Sequence, residues 1–372
     1  VTLIASDSIK LSSSTVTTSG AAVLVSSNRD GVSGGAISML NSTISTNGGN
    51  ITLGGGTDGS SYAEGSASSI QDPFYRGIWL SGSTLNAGSG NISLKGKGWQ
   101  GATFGTSTVH YSIGIDVVIG TSIRTTGSGN ITLDGVGGKN YSAANHSVGI
   151  NFYTNAAANS IYSVNGNVSL SGTAGTLSAR TYAAINNDGG VVEIYSSTGN
   201  VTLTGNGTSS DYGVNVLSGT TLYAGYNSTA SVVTSGNLLI QSNSLNAAGA
   251  FNLRNSGTVT LEPIDNSFTS ALSWPLTNVN LVSTAGLTIG KSTNTADITI
   301  ASATSVAGPI TLYGGAININ AALTSTGTNT ITLKGSGNVT DGASGYVVTS
   351  NLLLLGGNVT LDNAANNAVG TL

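Results

Sequence analysis

The sequence contains no cysteine and only four prolines among 372 residues, and charged residues make up just 7% of it. The missing cysteines exclude disulfide staples and thiolate metal sites. They also suit a chain kept unfolded during export. With so little charge and a net charge of −4, a phosphate-binding surface is excluded, because that needs a basic stripe. No apolar run approaches the ~20 residues that span a bilayer, so membrane insertion is not expected. Helical periodicity is lacking too, since no window sustains a 3.6-residue apolar repeat. No signal peptide is visible, because a strand-like run opens at Val1. The pattern begins and ends in mid-repeat, so the chain reads as part of something longer.

What is present points to strands and turns. Glycine contributes 54 residues, and Ser, Thr and Asn are abundant. Disordered chains carry high charge and little Val, Ile or Leu. Here hydrophobic residues reach 38%, and they recur in short runs of β-branched residues and Leu.

Self-similarity decides the fold. A five-residue block recurs as Gly49-Asn-Ile-Thr-Leu53, Gly90-Asn-Ile-Ser-Leu94, Gly129-Asn-Ile-Thr-Leu133, Gly166-Asn-Val-Ser-Leu170, Gly199-Asn-Val-Thr-Leu203 and Gly357-Asn-Val-Thr-Leu361. Looser copies start at Gly236, Gly257, Gly286, Gly308 and Asn329. A second block, Gly77-Ile-Trp-Leu80, Gly114-Ile-Asp-Val117, Gly149-Ile-Asn-Phe152 and Gly213-Val-Asn-Val216, precedes a third such as Ser83-Thr-Leu-Asn-Ala87. Each unit thus reads as three strands and a return. Ile51 and Leu53 alternate with Asn50 and Thr52, so one face of the strand is apolar. One coil cannot bury that face alone, and stability must come from its neighbours.

The expectation is an all-β, right-handed parallel β-helix of about 21 residues per coil, as between Gly308 and Asn329, with loops inserted at one corner. About 13 coils at the ~4.8 Å strand spacing make a rod on the order of 60 Å long. Glycine at the corners is expected to supply positive φ. Residues 1–372 form one solenoid, with regular coils over 1–53, long loops over 54–235 and shorter coils over 236–372. The alternative for the long units is two coils each.

These blocks resemble the haemagglutinin-repeat β-helices of filamentous-haemagglutinin-like adhesins, the large exoproteins of two-partner secretion in Gram-negative bacteria. The similarity covers essentially the whole chain and is one of repeat style. It implies a secreted or cell-surface location, an outer-membrane secretion partner, and a role in adhesion, biofilm matrix or contact. The chain departs from that family in lacking any Asn-Pro, so the secretion-domain motifs are absent and the similarity implies a shaft.

Function should sit on the loops, at roughly 54–76, 95–113, 134–148, 171–183, 204–212 and 262–275. They hold many aromatics and both histidines, His110 and His146. Solenoids often carry insertions on their binding face. Tyr75, Trp99, Tyr111, Tyr182 and Tyr212 are therefore candidates for gripping a polysaccharide, a matrix or host glycan, or a host receptor. The competing reading is a ladder in which Tyr75, Tyr111, Tyr182 and Tyr212 cap the core edge. Sequons recur as well. Those inside the repeated strand, such as Asn50 and Asn91, read as a structural Asn stack. The loop sequons Asn41, Asn140, Asn145, Asn206 and Asn227 are the candidates for glycosylation.

No catalytic residue, metal site or cofactor is expected. Gly31-Val-Ser-Gly-Gly35 and Gly96-Lys-Gly-Trp-Gln-Gly101 match nucleophile-elbow and dinucleotide patterns without their helical context. Two further alternatives stand beside the adhesin: an ice-binding solenoid, from the outward Asn-x-Thr column, and a polysaccharide-degrading β-helix enzyme. The only charged groups near a second-strand edge are Asp116 and the pair Asp72 and Arg76. Uncapped coil ends expose strand edges, which points to end-to-end self-association.

Overall fold

A computed structural model describes the chain except residues 32–33, 67–74, 101–110, 140–146, 156, 177–182, 208–210, 227–233, 235 and 364–365. Among the described residues it is all-β, and every ladder between strands is parallel. Three strands alternate along the chain, each pairing with its counterpart in the next coil. This is a parallel β-helix. Parallel crossovers of this kind wind right-handed.

Five of the six exact pentapeptide copies form the first face; the sixth, at residues 357–361, instead pairs Val359 and Thr360 with Val339 and Thr340 on the second face. The first-face strands Ile51–Gly55, Ile92–Lys97, Ile131–Val136, Val168–Thr173 and Val201–Asn206 stack in strict register, with Leu53 on Leu94, Leu133, Leu170 and Leu203. Their inward Ile, Val and Leu side chains are buried and join those of the other faces in one core. The second face is an eight-stranded sheet over 9–247 followed by a five-stranded one over 272–360, which together make thirteen rungs. The third face runs unbroken from Thr15–Thr17 to Val279–Val282.

Leu53 lies directly beside Leu94, so each long unit is a single coil and the two-coil alternative is excluded. The extra residues are excursions. After Gly55 the chain leaves the coil and returns to lay Ala63 and Glu64 beside Gly96 and Lys97. Most excursions leave between the first and second faces, as expected. One does not: residues 225–237 lie between the third-face strand Thr220–Ala224 and the next first-face strand, Leu238–Ser242.

Corner glycines such as Gly48, Gly82 and Gly88 supply positive φ, as expected. The block glycines Gly90, Gly129 and Gly166 do not have positive φ and serve another purpose. The block glycines are small because they stack. A Cβ on Gly129 would meet the Gly90 carbonyl oxygen at 1.9 Å. A second glycine column, Gly96, Gly135, Gly172 and Gly205, stands one residue before the end of the first-face strands. There a Cβ on Gly135 would fall 2.2 Å from the Gly149 carbonyl oxygen, at the start of the second face. This contact pinches the excursion shut at its base, so loops of different length leave the coil unchanged. Gly135→Ala should therefore cost about 1–3 kcal/mol through overpacking. Urea denaturation would show it, and unchanged stability would refute the pinch.

The sequon asparagines of the first face carry the structural role proposed for them, with backbone amides as the donors. The Asn50 side-chain oxygen accepts from the Asn91 amide, and the pattern repeats through Asn91, Asn130, Asn167, Asn200 and Asn237 at 2.8–2.9 Å. Each bond satisfies a backbone donor at a corner where no strand does so.

Candidate functional site

The outward column of the second face changes character along the rod. Ser38, Trp79, Asp116, Asn151, Asn186, Asn215 and Asn246 occupy successive rungs of one register. The asparagines form an amide ladder. Asn246 donates to Asn215, Asn215 to Asn186, Asn186 to Asn151, and Asn151 to the Asp116 carboxylate, at 2.7–2.9 Å. Every step points its donor towards Asp116. The other Asp116 oxygen takes the Arg76 guanidinium at 2.5 Å. Both residues are almost fully buried, at 2% and 7% exposure. A charge in that setting is tolerated only when paired and hydrogen-bonded, and here it is both.

Around this pair lies a cleft of about 310 Å³. Half-buried Trp79 stands one rung before Asp116, and exposed Tyr153 lies one rung after Val118. The two aromatics are two rungs apart, on the order of 10 Å along the axis. Tyr111 forms part of the wall, with the Arg76 guanidinium 5.0 Å from its ring centre. Ile119 also lines the cleft at φ 53°, a left-handed conformation that is uncommon for a β-branched residue. The last lining residue is Asp188. It is the extra residue at a register step, because Phe152 pairs with Asn187 while Tyr153 pairs with Gly189. A bulge of this kind re-aims a side chain, and Asp188 is exposed in the cleft.

The sequence candidates scatter around this site. Tyr111 belongs to it. Tyr75 and Trp99 are 9% and 8% exposed and pack edge to face, with ring centres 6.3 Å apart. That is an inward-facing contact between neighbouring excursions. Tyr212 is half-buried at the start of its second-face strand. Tyr182, His110 and His146 lie outside the described residues, as do Asn140, Asn145 and Asn227. Asn41 is exposed in a turn at φ 47°, and Asn206 is exposed at the end of its first-face strand. Phe268 and Trp274 point into the core. The Tyr62 hydroxyl donates to Asp134, two coils away, at 2.7 Å. Burial and that carboxylate push its phenol up to about 12.

An aromatic ladder on the third face was not foreseen. Tyr162, Tyr195 and Tyr223 are in register, with ring centres 4.7 and 5.5 Å apart in tilted and edge-on pairs. Burial, then the nearby Glu193, pushes the Tyr195 phenol up to about 12. The fold thus favours the neutral phenols of Tyr62 and Tyr195 over the ionised forms. Their contribution is complete below pH 10, the usual phenol value, and fades as pH rises towards 12. A denaturation midpoint measured across that window should fall, and the fall should be smaller in a Tyr62→Phe/Tyr195→Phe variant.

The fold defines a charge-poor parallel β-solenoid with an aromatic cleft built around a buried ion pair. No family model, curated protein or solved structure matches the chain.

Proposed function

We propose that the protein is the shaft of an extracellular adhesin, secreted or displayed on a bacterial surface, that binds a polysaccharide or host glycan in the second-face cleft. One observation carries this reading: Trp79, Tyr111 and Tyr153 line a single cleft with the amide of Asn151 and the carboxylates of Asp116 and Asp188. A sugar ring is apolar on its faces and polar at its rim. Flat aromatics beside fixed donors and acceptors match both parts. The rod supplies reach and stiffness, and the parent protein would require an outer-membrane export partner.

Binding fits the cleft better than catalysis. Glycoside hydrolysis needs one carboxyl held protonated in an apolar pocket and a second free to act. Asp116 is taken up by Arg76 and Asn151, and Asp188 stands in the open. The ice-binding alternative also gains no support. The first-face Thr column is interrupted by Ser93, Ser169 and Leu239, whereas ordering water over a surface requires an uninterrupted array.

Presenting the purified chain to a glycan array tests the proposal. The wild type should bind a defined set of oligosaccharides. Trp79→Ala and Tyr153→Ala should each weaken that binding about tenfold, the scale of losing an aromatic contact worth ~1.5 kcal/mol. Tyr223→Ala, on another face, should leave it intact. A wild type that binds no glycan, or a Trp79→Ala variant that binds equally well, would contradict the proposal.

A further inference from the structure

The charges in the cleft do not balance among its described lining residues. Arg76 is the one cation there, and it is committed to Asp116. The second Asp116 oxygen is taken by Asn151. Asp188 is left as an exposed carboxylate with no hydrogen bond or ion pair among the described residues. It owes its place to the register step against Phe152 and Tyr153. The step falls at the end of the strand: before it, Ile185, Asn186 and Asn187 pair regularly with Ile150, Asn151 and Phe152 on one side and with Val214, Asn215 and Val216 on the other. The neighbouring walls add to the imbalance, because the faces of Trp79 and Tyr153 are the negative poles of their ring quadrupoles. Gly189 beside Asp188 keeps the Tyr153 ring close, since a Cβ there would meet the ring at 3.1 Å.

We propose that the cleft selects glycans carrying a free, protonated amino group, with Asp188 as the acceptor for the ammonium. The inference rests on the glycan-binding reading and adds the class of sugar. An ammonium on a pyranose reaches the carboxylate and an aromatic face together, which a neutral N-acetyl group does not. A uronic acid or sulfated sugar meets Asp188 as a like charge, so it is selected against.

The test uses the full chain and three probes of matched length: a chitosan oligosaccharide with free amines, its fully N-acetylated counterpart, and an oligogalacturonide. Binding is measured at a mildly acidic pH, where the sugar amine is protonated. The free-amine probe should bind about tenfold more tightly than the acetylated one, from an ion pair and a cation–π contact each worth up to ~1 kcal/mol, and the uronide most weakly. Asp188→Asn should weaken the free-amine probe more than the acetylated one, narrowing the difference to about threefold, the share left to the cation–π contact. Added salt should weaken only the free-amine complex. Equal affinities for the first two probes, or a preference that is undiminished in Asp188→Asn, overturn the inference while leaving glycan binding in place. Failure of all three probes to bind overturns it as well, and if the array is also blank, glycan binding itself falls.

Discussion

Asp116→Ala should destabilise the rod by about 3–5 kcal/mol, although the side chain removed is small and lies at the floor of a cleft. The cost comes from what stays behind. Arg76 is 7% exposed and would lose the carboxylate that neutralises it at Asp116. The Asn151 amide would lose the acceptor that ends the ladder from Asn246. A buried ion pair replaced whole by apolar groups is often neutral, whereas a pair broken on one side is strongly destabilising. The double variant Arg76→Met/Asp116→Leu should therefore recover most of the loss, short of the bond to Asn151. Urea denaturation of the two variants checks this. If Asp116→Ala unfolds at the wild-type midpoint, the pair does not hold the second face. If the double variant is as weak as the single, the cost does not come from breaking the ion pair on one side.

Leu133→Ala should cost about 2–5 kcal/mol, the range for a fully buried leucine. Leu133 is 0% exposed and sits between Leu94 and Leu170 in the first-face column. A solenoid coil touches only its neighbours, so the cavity cannot be closed by a distant rearrangement. The damage should also be local. Amide exchange should quicken in the coils around Leu94, Leu133 and Leu170 before it does near Leu312 and Leu333. Uniform acceleration along the rod would mean that the coils do not act as separate units. A variant with wild-type stability would mean that this column is not the core.

The pattern of residues made the solenoid itself legible. The pentapeptide carries its own alternation, and its first five copies stack in the order in which they occur, whereas the copy at 357–361 has the same pattern yet lies on the second face. The Gly-Ile-x-Val blocks became second-face strands such as Ile78–Ser81 and Ile115–Val118, and Ser-Thr-Leu-Asn-Ala became Thr84–Asn86. The glycine roles were harder to read, because the sequence does not distinguish positive φ from close approach. The cleft was half legible. The variable position of the second block holds Trp79, Asp116 and Asn151 in turn, and aligning those blocks places them on successive rungs. The burial of Arg76 and the bulge that exposes Asp188 depend on the path of an excursion and on one inserted residue, which no repeat encodes. The tyrosine ladder had a signal that aligned third-face blocks reveal: an aromatic follows Ile161, Ile194 and Leu222, and an arginine follows Ile123 and Leu253. The loop aromatics were judged by chain position alone, which does not separate Tyr111 at the cleft from Tyr75 and Trp99 turned inward.

The site exists only because each long unit is a single coil, which brings Trp79, Asp116 and Asn151 to adjacent rungs. The absence of cysteine makes that arrangement directly measurable. Spin labels on Thr52→Cys and Thr202→Cys would sit on half-exposed positions of one outward column, through Ser93, Thr132 and Ser169. Pulsed electron–electron resonance should give a distribution centred near four rungs, about 19 Å. A centre near ~38 Å, the value for two coils per unit at the same spacing, would contradict the register on which the cleft depends.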